Sequence, residues 1–401
     1  MKVKPVILCG GSGTRLFPKF KKSPSKQFID FGGWTLIDKT LERIKDPIFD
    51  SPIISTNKTY EKLVRNALKK NKIKKFKIIL EPFKKNTAPA IISSTLANEI
   101  KTNQPILFLP SDHYIPEKKK FNKILKLNLS NLNSNNIFIF AVKPKNPSIE
   151  YGYLLSKKIN NNINKVSKFI EKPNEKRAIN VINQNGYWNS GIVLARKDSI
   201  INNAKKFQKL LFNHCLNAVN KSKLKNNNII LNKNSFSKIK AISFDYAILE
   251  KAKEINAIKL NLTWSDLGSW KEIFKIIKGK TTKANVKKNT FYRPWGNYKN
   301  FFKGEGFLLK ELTVNKKSSI SLQKHYHRSE HWTVTGGKPK ITVGKKIFFK
   351  KINESIFIPK GSIHRIENIY DKPVKIVEAQ LGKVLKETDI VRYQDVYGRV
   401  K

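Results

Sequence analysis

Over its first 145 residues the chain switches repeatedly between strand-like and helical apolar patterning, and this alternation constrains its fold more than any other feature. Residues 3–11 (VKPVILCGG) read as a strand entering a Gly-rich turn. Helices are predicted over 35–45, 59–71, 86–101 and 118–129, and strands over 52–56, 76–82, 104–112 and 136–144. Strand and helix in regular alternation build an open, mostly parallel sheet with helices on both faces, an α/β unit. Such sheets bind ligands beyond the carboxyl ends of their strands. That rule singles out the turns at Gly10–Arg15, Glu81–Pro89 and Pro110–His113, which are also the most unusual stretches of this half.

Residues 150–275 continue less regularly, and 278–290 is rich in Lys, Asn and Thr with few apolar residues, as a linker is. From Tyr292 the pattern changes. Short runs such as FLLKELTV, SSISLQKHYH, EHWTVTGG and ESIFIPKG recur every ten residues or so between turn signals, the signature of an all-β sandwich or barrel. The predicted division is an α/β domain over 1–277, a short linker over 278–291 and a β domain over 292–401.

Lys and Arg number 80 against 29 Asp and Glu, a formal net charge of +51. Charge of this size invites a nucleic-acid reading. However, all but ten of the basic residues are Lys, scattered through every segment and accompanied by many Asn and Ile, as AT-rich codons would give. Readers of base edges favour Arg for its bidentate fork. The expectation is a basic, solvated surface that favours small polyanionic substrates, with no specific nucleic-acid partner. No apolar run approaches the roughly 20 residues of a membrane helix, and the first apolar run is too short for a signal-peptide core. Cys9 and Cys215 stand far apart. A disulfide framework is therefore not expected, and a reducing, cytoplasmic setting is.

ILCGGSGTRLFP places small residues after a buried strand, where backbone N–H groups can form an anion nest. It is neither a Walker A loop, lacking GK[ST], nor G-x-G-x-x-G, since Leu16 stands at the third Gly. Arg15 and Lys26 supply cations for a polyphosphate; the plain alternative is a tight turn with surface charges. Asp112 follows the strand ILFLPS, and Asp266 follows an apolar run in TWSDLGSW. One or two carboxylates plus phosphate oxygens commonly hold Mg²⁺, although either Asp alone reads equally as a turn or capping residue. In the β-rich half, His325 and His327 share a strand face by alternation, Glu330 follows three residues on, and His364 comes from a separate strand. Imidazoles with a carboxylate suit Zn²⁺ or another transition metal.

With these residues in view, the first 275 residues resemble the sugar-nucleotide pyrophosphorylases, specifically the mannose-1-phosphate guanylyltransferases. GGSGTRLFP, PSKQF, EPFKKNTAPAI, FLPSDHYI, YGYL, FIEKP, YWNSGI, FDYAILEKA and WSDLGSW carry the likeness, in the family's order. It implies a Rossmann-like nucleotidyltransferase domain that takes GTP and mannose 1-phosphate. Gly10, Gly11, Gly13, Thr14 and Arg15 would hold the nucleotide, with Lys85 and Asn86, and Lys26 would stand near its phosphates. Asp112 and Asp266 would bind Mg²⁺. Tyr151, Gly152, Glu171, Lys172, Asn189 and Gly191 would line the sugar-phosphate side. Lys85 departs from the family, which normally has Arg there; Lys keeps the charge and loses the planar fork.

The tail resembles a cupin barrel, that of the type II mannose-6-phosphate isomerases, through RPWGNY, SLQKHYHRSEHW, NESIFIPKGSIHRIEN and DIVRYQDVYGR. By that resemblance His325, His327, Glu330 and His364 would ligate the metal, with Gln323 and His331 as competitors. Arg365 would face the sugar phosphate, and mannose 6-phosphate and fructose 6-phosphate would be the substrates. Relatives with both halves usually carry some tens of extra residues between WSDLGSW and RPWG, where this chain has only Lys271–Tyr292. A homo-oligomer is among the assemblies the resemblance allows. The alternatives are a guanylyltransferase with a non-catalytic cupin, another NTP:sugar-1-phosphate nucleotidyltransferase and, in a different class, a nucleic-acid-binding protein.

Overall fold

The computed structural model describes residues 2–11, 25–31, 34–160, 163–268, 272–273, 276, 289–304 and 306–398. The chain divides into two compact units, one holding the N-terminal strand and residues 35–266, the other running from Leu267 onward.

The first unit is built on an eleven-stranded sheet. Its strands are β1 (Lys4–Leu8), β2 (Ile53–Asn57), β3 (Lys77–Glu81), β4 (Pro105–Pro110), β5 (Ile137–Val142), β6 (Tyr153–Lys158), β7 (Ile163–Ile170), β8 (Tyr187–Arg196), β9 (Lys223–Lys225), β10 (Asn228–Ile230) and β11 (Ile255–Lys259). Their order is β5-β11-β7-β6-β8-β4-β1-β2-β3-β10-β9, and β5 also pairs with β8. The sheet is mixed. It is parallel from β10 through β3, β2 and β1 to β4 and antiparallel where β8 joins β4, β5 and β6. Neighbouring residues along the central strands fall into different cores: Ile7, Ile54, Ile78 and Leu107 into one, Val6, Ile53, Ile79 and Ile106 into the other. The period-two pattern thus buries both faces, as a sheet covered on both sides requires.

Four helices connect the parallel strands, α1 (Leu36–Arg43), α2 (Glu61–Lys70), α3 (Thr87–Leu96) and α4 (Lys118–Asn128). A capping box starts α1, with Thr35 Oγ1 accepting from Asp38 N and Asp38 Oδ2 accepting from Thr35 N; such a cap contributes about 1 kcal/mol. Asn86, at φ 71°, caps α3 through its side-chain oxygen. Because β1, β2, β3 and β4 run parallel, their carboxyl ends share one edge. Cys9 N donates to Ser55 O and Ser111 N to Leu8 O, so the chain leaves β1 and β4 side by side. Asp245–Leu249 form a short π-helical turn. No described helix is long and apolar enough to cross a membrane.

The second unit is antiparallel β throughout its described pairings. One sheet runs β12 (Thr290–Arg293), β13 (Gly296–Gly304), β14 (Phe307–Val314), β22 (Val374–Gly382), β17 (Arg328–Gly336), β20 (Ser355–Ile358). The other runs β19 (Lys346–Phe349), β18 (Lys340–Val343), β21 (His364–Asn368), β16 (Leu322–His325), β23 (Ile390–Gln394), with β15 (Ser318–Ser319) also on β21. Their facing sides share an apolar core that includes Trp295, Val314, Trp332, Ile341, Ile366 and Ile376.

Candidate active site

A cavity of about 560 Å³ opens at the carboxyl edge of β1, β2, β3 and β4. It gathers Gly10, Gly11, Lys85, Asn86, Asp112, Tyr151, Gly152, Glu171, Asn189, Gly191 and Asp266 from the predicted set. Gly13, Thr14, Arg15 and most of the predicted linker lie outside the described residues. Lys26 is buried, and its Nζ sits 2.7 Å from Asp112 Oδ2 and donates to the Asp266 main-chain carbonyl. The lysine expected beside the phosphates therefore ties the two aspartates together. Its neighbours Ser25 and Gln27 both donate to Gly11 O, anchoring the chain where it leaves β1. Tyr151 donates from its hydroxyl to Asp266 Oδ1 at 2.5 Å and packs its ring against Trp188 and Trp264.

The far end of the cavity is acidic and closely fitted. Asn189 Nδ2 donates to Asp245 Oδ1 at 2.9 Å, and Asn189 Oδ1 accepts from Gly191 N. A Cβ on Gly152 would lie 2.6 Å from Glu171 Oε2, so only glycine leaves that carboxylate where it is. Lys172 does not line the cavity; its largely exposed ammonium stands 3.8 Å from Glu171 Oε1. Lys85 Nζ donates to Ser237 O at 3.1 Å.

Burial governs the charge states. It would raise the Asp112 carboxyl, but Lys26 and His113 more than offset it and bring Asp112 down to about 2. His113 is pushed down to about 4, chiefly by burial, and accepts from Trp264 Nε1 at 3.4 Å. Burial, with Asp245 beside it, lifts Glu171 to about 7. Glu81, a cavity residue absent from the predicted set, is also lifted to about 7 by burial and accepts from Ser55 Oγ at 2.6 Å. The strand-edge rule could have found it, since it ends β3. Asp245, likewise missed, lies in the FDYAILEKA stretch, the one signal that could have found it. Cys9, pushed up to about 12 by burial, is an inert thiol. The wall thus offers carboxylate oxygens at Asp112 and Asp266, the donor set of a hard divalent cation, rather than a cysteine nucleophile.

In the second unit, His325, Glu330 and His364 place one ligand atom each within 4.8 Å of one another, all buried. His325 Nδ1 lies 3.1 Å from Asp389 O and His364 Nδ1 2.9 Å from Ser362 O. The natural tautomer is therefore Nδ1–H, with both Nε2 lone pairs turned toward Glu330, the second-sphere arrangement of metal-binding imidazoles. His364 Nε2 is buried with no hydrogen-bond partner. These three residues fit a transition metal.

Two predicted residues fall outside this centre. His327 is exposed: β16 ends at His325, residues 326–327 form the turn before β17, and strand alternation no longer applies. Arg365 lies next to buried His364 on β21, so it faces the other side of the sheet, where it pairs with Glu367 at 3.2 Å. The competitor His331 neighbours inward-facing Glu330 and Trp332 on β17 and is excluded in the same way. A small cavity beside the cluster takes its cations from Arg293, Lys310, Arg328 and Arg392 instead, with Gln323, Glu330, Glu378 and Glu387.

A mixed α/β sheet with a glycine turn and paired aspartates at its carboxyl edge, joined to a β unit with an imidazole–carboxylate centre, defines a nucleotidyltransferase with an isomerase-type tail. Residues 4–283 match the nucleotidyl transferase family, and residues 280–395 match the mannose-6-phosphate isomerase C-terminal family. The chain belongs to the nucleotidyl transferases, in the form that carries this C-terminal unit. The alginate biosynthesis protein AlgA of Pseudomonas fluorescens is 31% identical, over 98% of this chain and 96% of its own. A mannose-1-phosphate guanylyltransferase of Sinorhizobium fredii is 29% identical, over 98% of this chain and 91% of its own. The crystal structure of a mannose-6-phosphate isomerase from Helicobacter pylori superposes with a TM-score of 0.58 at 25% identity, covering 66% of this chain and all of that one. The alignment with the Pseudomonas protein spans 467 positions against 401 residues here, so at least 66 of them (467 less 401) have no counterpart in this chain.

Proposed function

We infer that the first unit transfers GMP from GTP to mannose 1-phosphate, giving GDP-mannose and pyrophosphate for polysaccharide or glycoconjugate synthesis. The second unit interconverts mannose 6-phosphate and fructose 6-phosphate. The observation that carries the first reading is the single cavity walled by the Gly10–Gly11 turn, by Asp112 and Asp266, and by Tyr151, Gly152, Glu171 and Asn189. Its volume of about 560 Å³ is in the range of small-molecule sites.

The phosphate oxygen of mannose 1-phosphate attacks the α-phosphorus of GTP, and pyrophosphate leaves. Such a displacement needs positioning and charge neutralisation rather than a covalent enzyme intermediate. Asp112 and Asp266 would hold Mg²⁺, which supplies part of that neutralisation when bound. Lys26 orients Asp112 and adds a positive charge. Tyr151 fixes Asp266, while Glu171 and Asn189 receive the sugar hydroxyls. In the second unit His325, Glu330 and His364 would hold Zn²⁺ or a similar cation, which would polarise the sugar carbonyl when bound.

Glu81 gives the base preference a physical reason. Guanine alone among the four bases presents N1–H and N2–H₂ side by side, and an ionised carboxylate accepts from both. The expected result is pyrophosphate release from GTP with mannose 1-phosphate well above that with ATP, UTP or CTP. Release that is equal with all four nucleotides, or absent with mannose 1-phosphate, would overturn the reading. Glu81→Gln should lower kcat/KM for GTP by about 10–100-fold, the worth of one bidentate base contact. Glu81 stands at about 7 in the free protein, and its ionised form is the one that accepts. GTP affinity should therefore fall as pH drops below about 7, by up to about tenfold per pH unit, and level off above it. Calorimetric titrations on both sides of pH 7 check this, with a flatter profile expected for Glu81→Gln.

A further inference from the structure

Three carboxylates line the small cavity of the second unit, and they are not equivalent. Glu330 belongs to the imidazole cluster and accepts from Arg328 Nε at 3.1 Å. Glu387 sits at a more exposed rim, paired to Lys310 at 3.1 Å. Glu378 is buried and stands outside the metal-binding triad. Its two oxygens are held separately: Oε2 accepts from Trp332 Nε1 at 2.9 Å, and Oε1 from Gln380 Nε2 at 2.7 Å. The same two donors reach Glu330, at 3.1 Å each. The Glu378 carboxylate is thereby fixed beside the one that would carry the metal, a donor group away from it. Lys310 Nζ lies 4.0 Å from Glu378 Oε1.

We propose that Glu378 is the catalytic base of the sugar-phosphate isomerisation, an assignment that rests on the isomerase reading of the second unit. The two imidazoles are poor candidates, because each Nδ1 is engaged by a main-chain carbonyl and each Nε2 faces the cluster. Glu378 is the remaining buried carboxylate of the cavity, and on each oxygen a lone pair is left after the Trp332 and Gln380 bonds.

The step balances as follows. In open-chain mannose 6-phosphate the Glu378 carboxylate takes the C2 proton, and the C2–H electron pair becomes the C1=C2 bond. O1 receives the π pair of the former carbonyl and takes the proton of the O2 hydroxyl. The O2 carbonyl then forms, and Glu378 returns its proton to C1, giving fructose 6-phosphate. C1 is reduced and C2 oxidised within one molecule, so no external oxidant or reductant enters. Trp332 and Gln380 are positioning residues that hold the carboxylate in plane.

The test uses the full-length protein with mannose 6-phosphate in deuterium oxide. NMR follows both isomerisation and deuterium entry at carbon, and calorimetry follows substrate binding. Glu378→Gln should lower isomerisation and exchange together by about 10²–10⁴-fold, the usual worth of a general base, while mannose 6-phosphate still binds. Glu378→Ala should be rescued by added formate, which restores a carboxylate and which a purely structural role would not answer to. Isomerisation by Glu378→Gln near the wild-type rate overturns the assignment. So does Glu378→Ala that binds substrate yet gains nothing from formate, and so does loss of substrate binding in both variants. A wild-type protein that never interconverts mannose 6-phosphate and fructose 6-phosphate overturns the isomerase reading itself, which separates that failure from the failure of Glu378.

Discussion

Asp112→Ala and Asp266→Ala should each cut GDP-mannose synthesis by at least about 10²–10³-fold, the scale on which one preorganised electrostatic contact at a reacting centre acts. Lys26 makes the two effects interdependent. Its Nζ is bonded to the Asp112 carboxylate and to the Asp266 main-chain carbonyl, and it is buried. Removing the Asp112 side chain leaves a buried ammonium without its counter-ion, and such a group costs several kcal/mol or finds a new partner. Asp266→Ala keeps the carbonyl that Lys26 uses but removes the carboxylate that accepts from the Tyr151 hydroxyl, so it should spare the lysine and weaken the hold on Tyr151. The two variants should therefore differ in stability while sharing the catalytic loss. Thermal unfolding and pyrophosphate release on the same preparations separate these terms. Near-normal turnover in either variant removes that residue from the metal site.

The parts of this site that could be read in the sequence are those a single strand end determines. A parallel sheet sends every carboxyl end to one edge, so Gly10 and Gly11 after β1, Glu81 at the end of β3 and Asp112 after β4 had to converge. The same rule pointed to Glu81, yet its role was passed over because one carboxylate in a charged stretch carries no mark of its burial. Asp245 lies in FDYAILEKA, one of the stretches that carry the resemblance, but its reach to Asn189 depends on a π-helical turn that no residue periodicity announces. In the β unit the limit was where a strand stops. Period-two reasoning placed His327 with His325, and it would have been right had β16 run two residues further. Applied within one strand, the same reasoning separates Arg365 from His364 correctly. The cations that do face the cavity, Arg293, Lys310, Arg328 and Arg392, come from different strands, so no local motif contains them.

His364→Ala should strip the second unit of its metal and abolish sugar-phosphate isomerisation while leaving GDP-mannose synthesis from mannose 1-phosphate intact. Its Nδ1 is engaged by Ser362 O, so the unpartnered Nε2 is the atom with a lone pair to give. Alanine deletes that donor and leaves Glu330 and His325 as a two-residue remnant. Loss of a ligand should cost more than the roughly 10–100-fold in metal affinity that follows loss of an outer-sphere partner. None of the cluster belongs to the cavity of Asp112 and Asp266, where the donors are oxygens suited to Mg²⁺ rather than imidazoles suited to Zn²⁺. The two cation requirements should accordingly separate on one preparation. A chelator selective for transition metals should silence isomerisation and spare the transferase in the wild type, and His364→Ala should reproduce that state without the chelator. Elemental analysis, the isomerase assay and pyrophosphate release are read together. Full metal content and an unchanged isomerase rate in His364→Ala would place the metal elsewhere. Metal retained by a wild type that never interconverts the two sugar phosphates would reduce the tail to a binding module and leave the transferase as the chain's one activity.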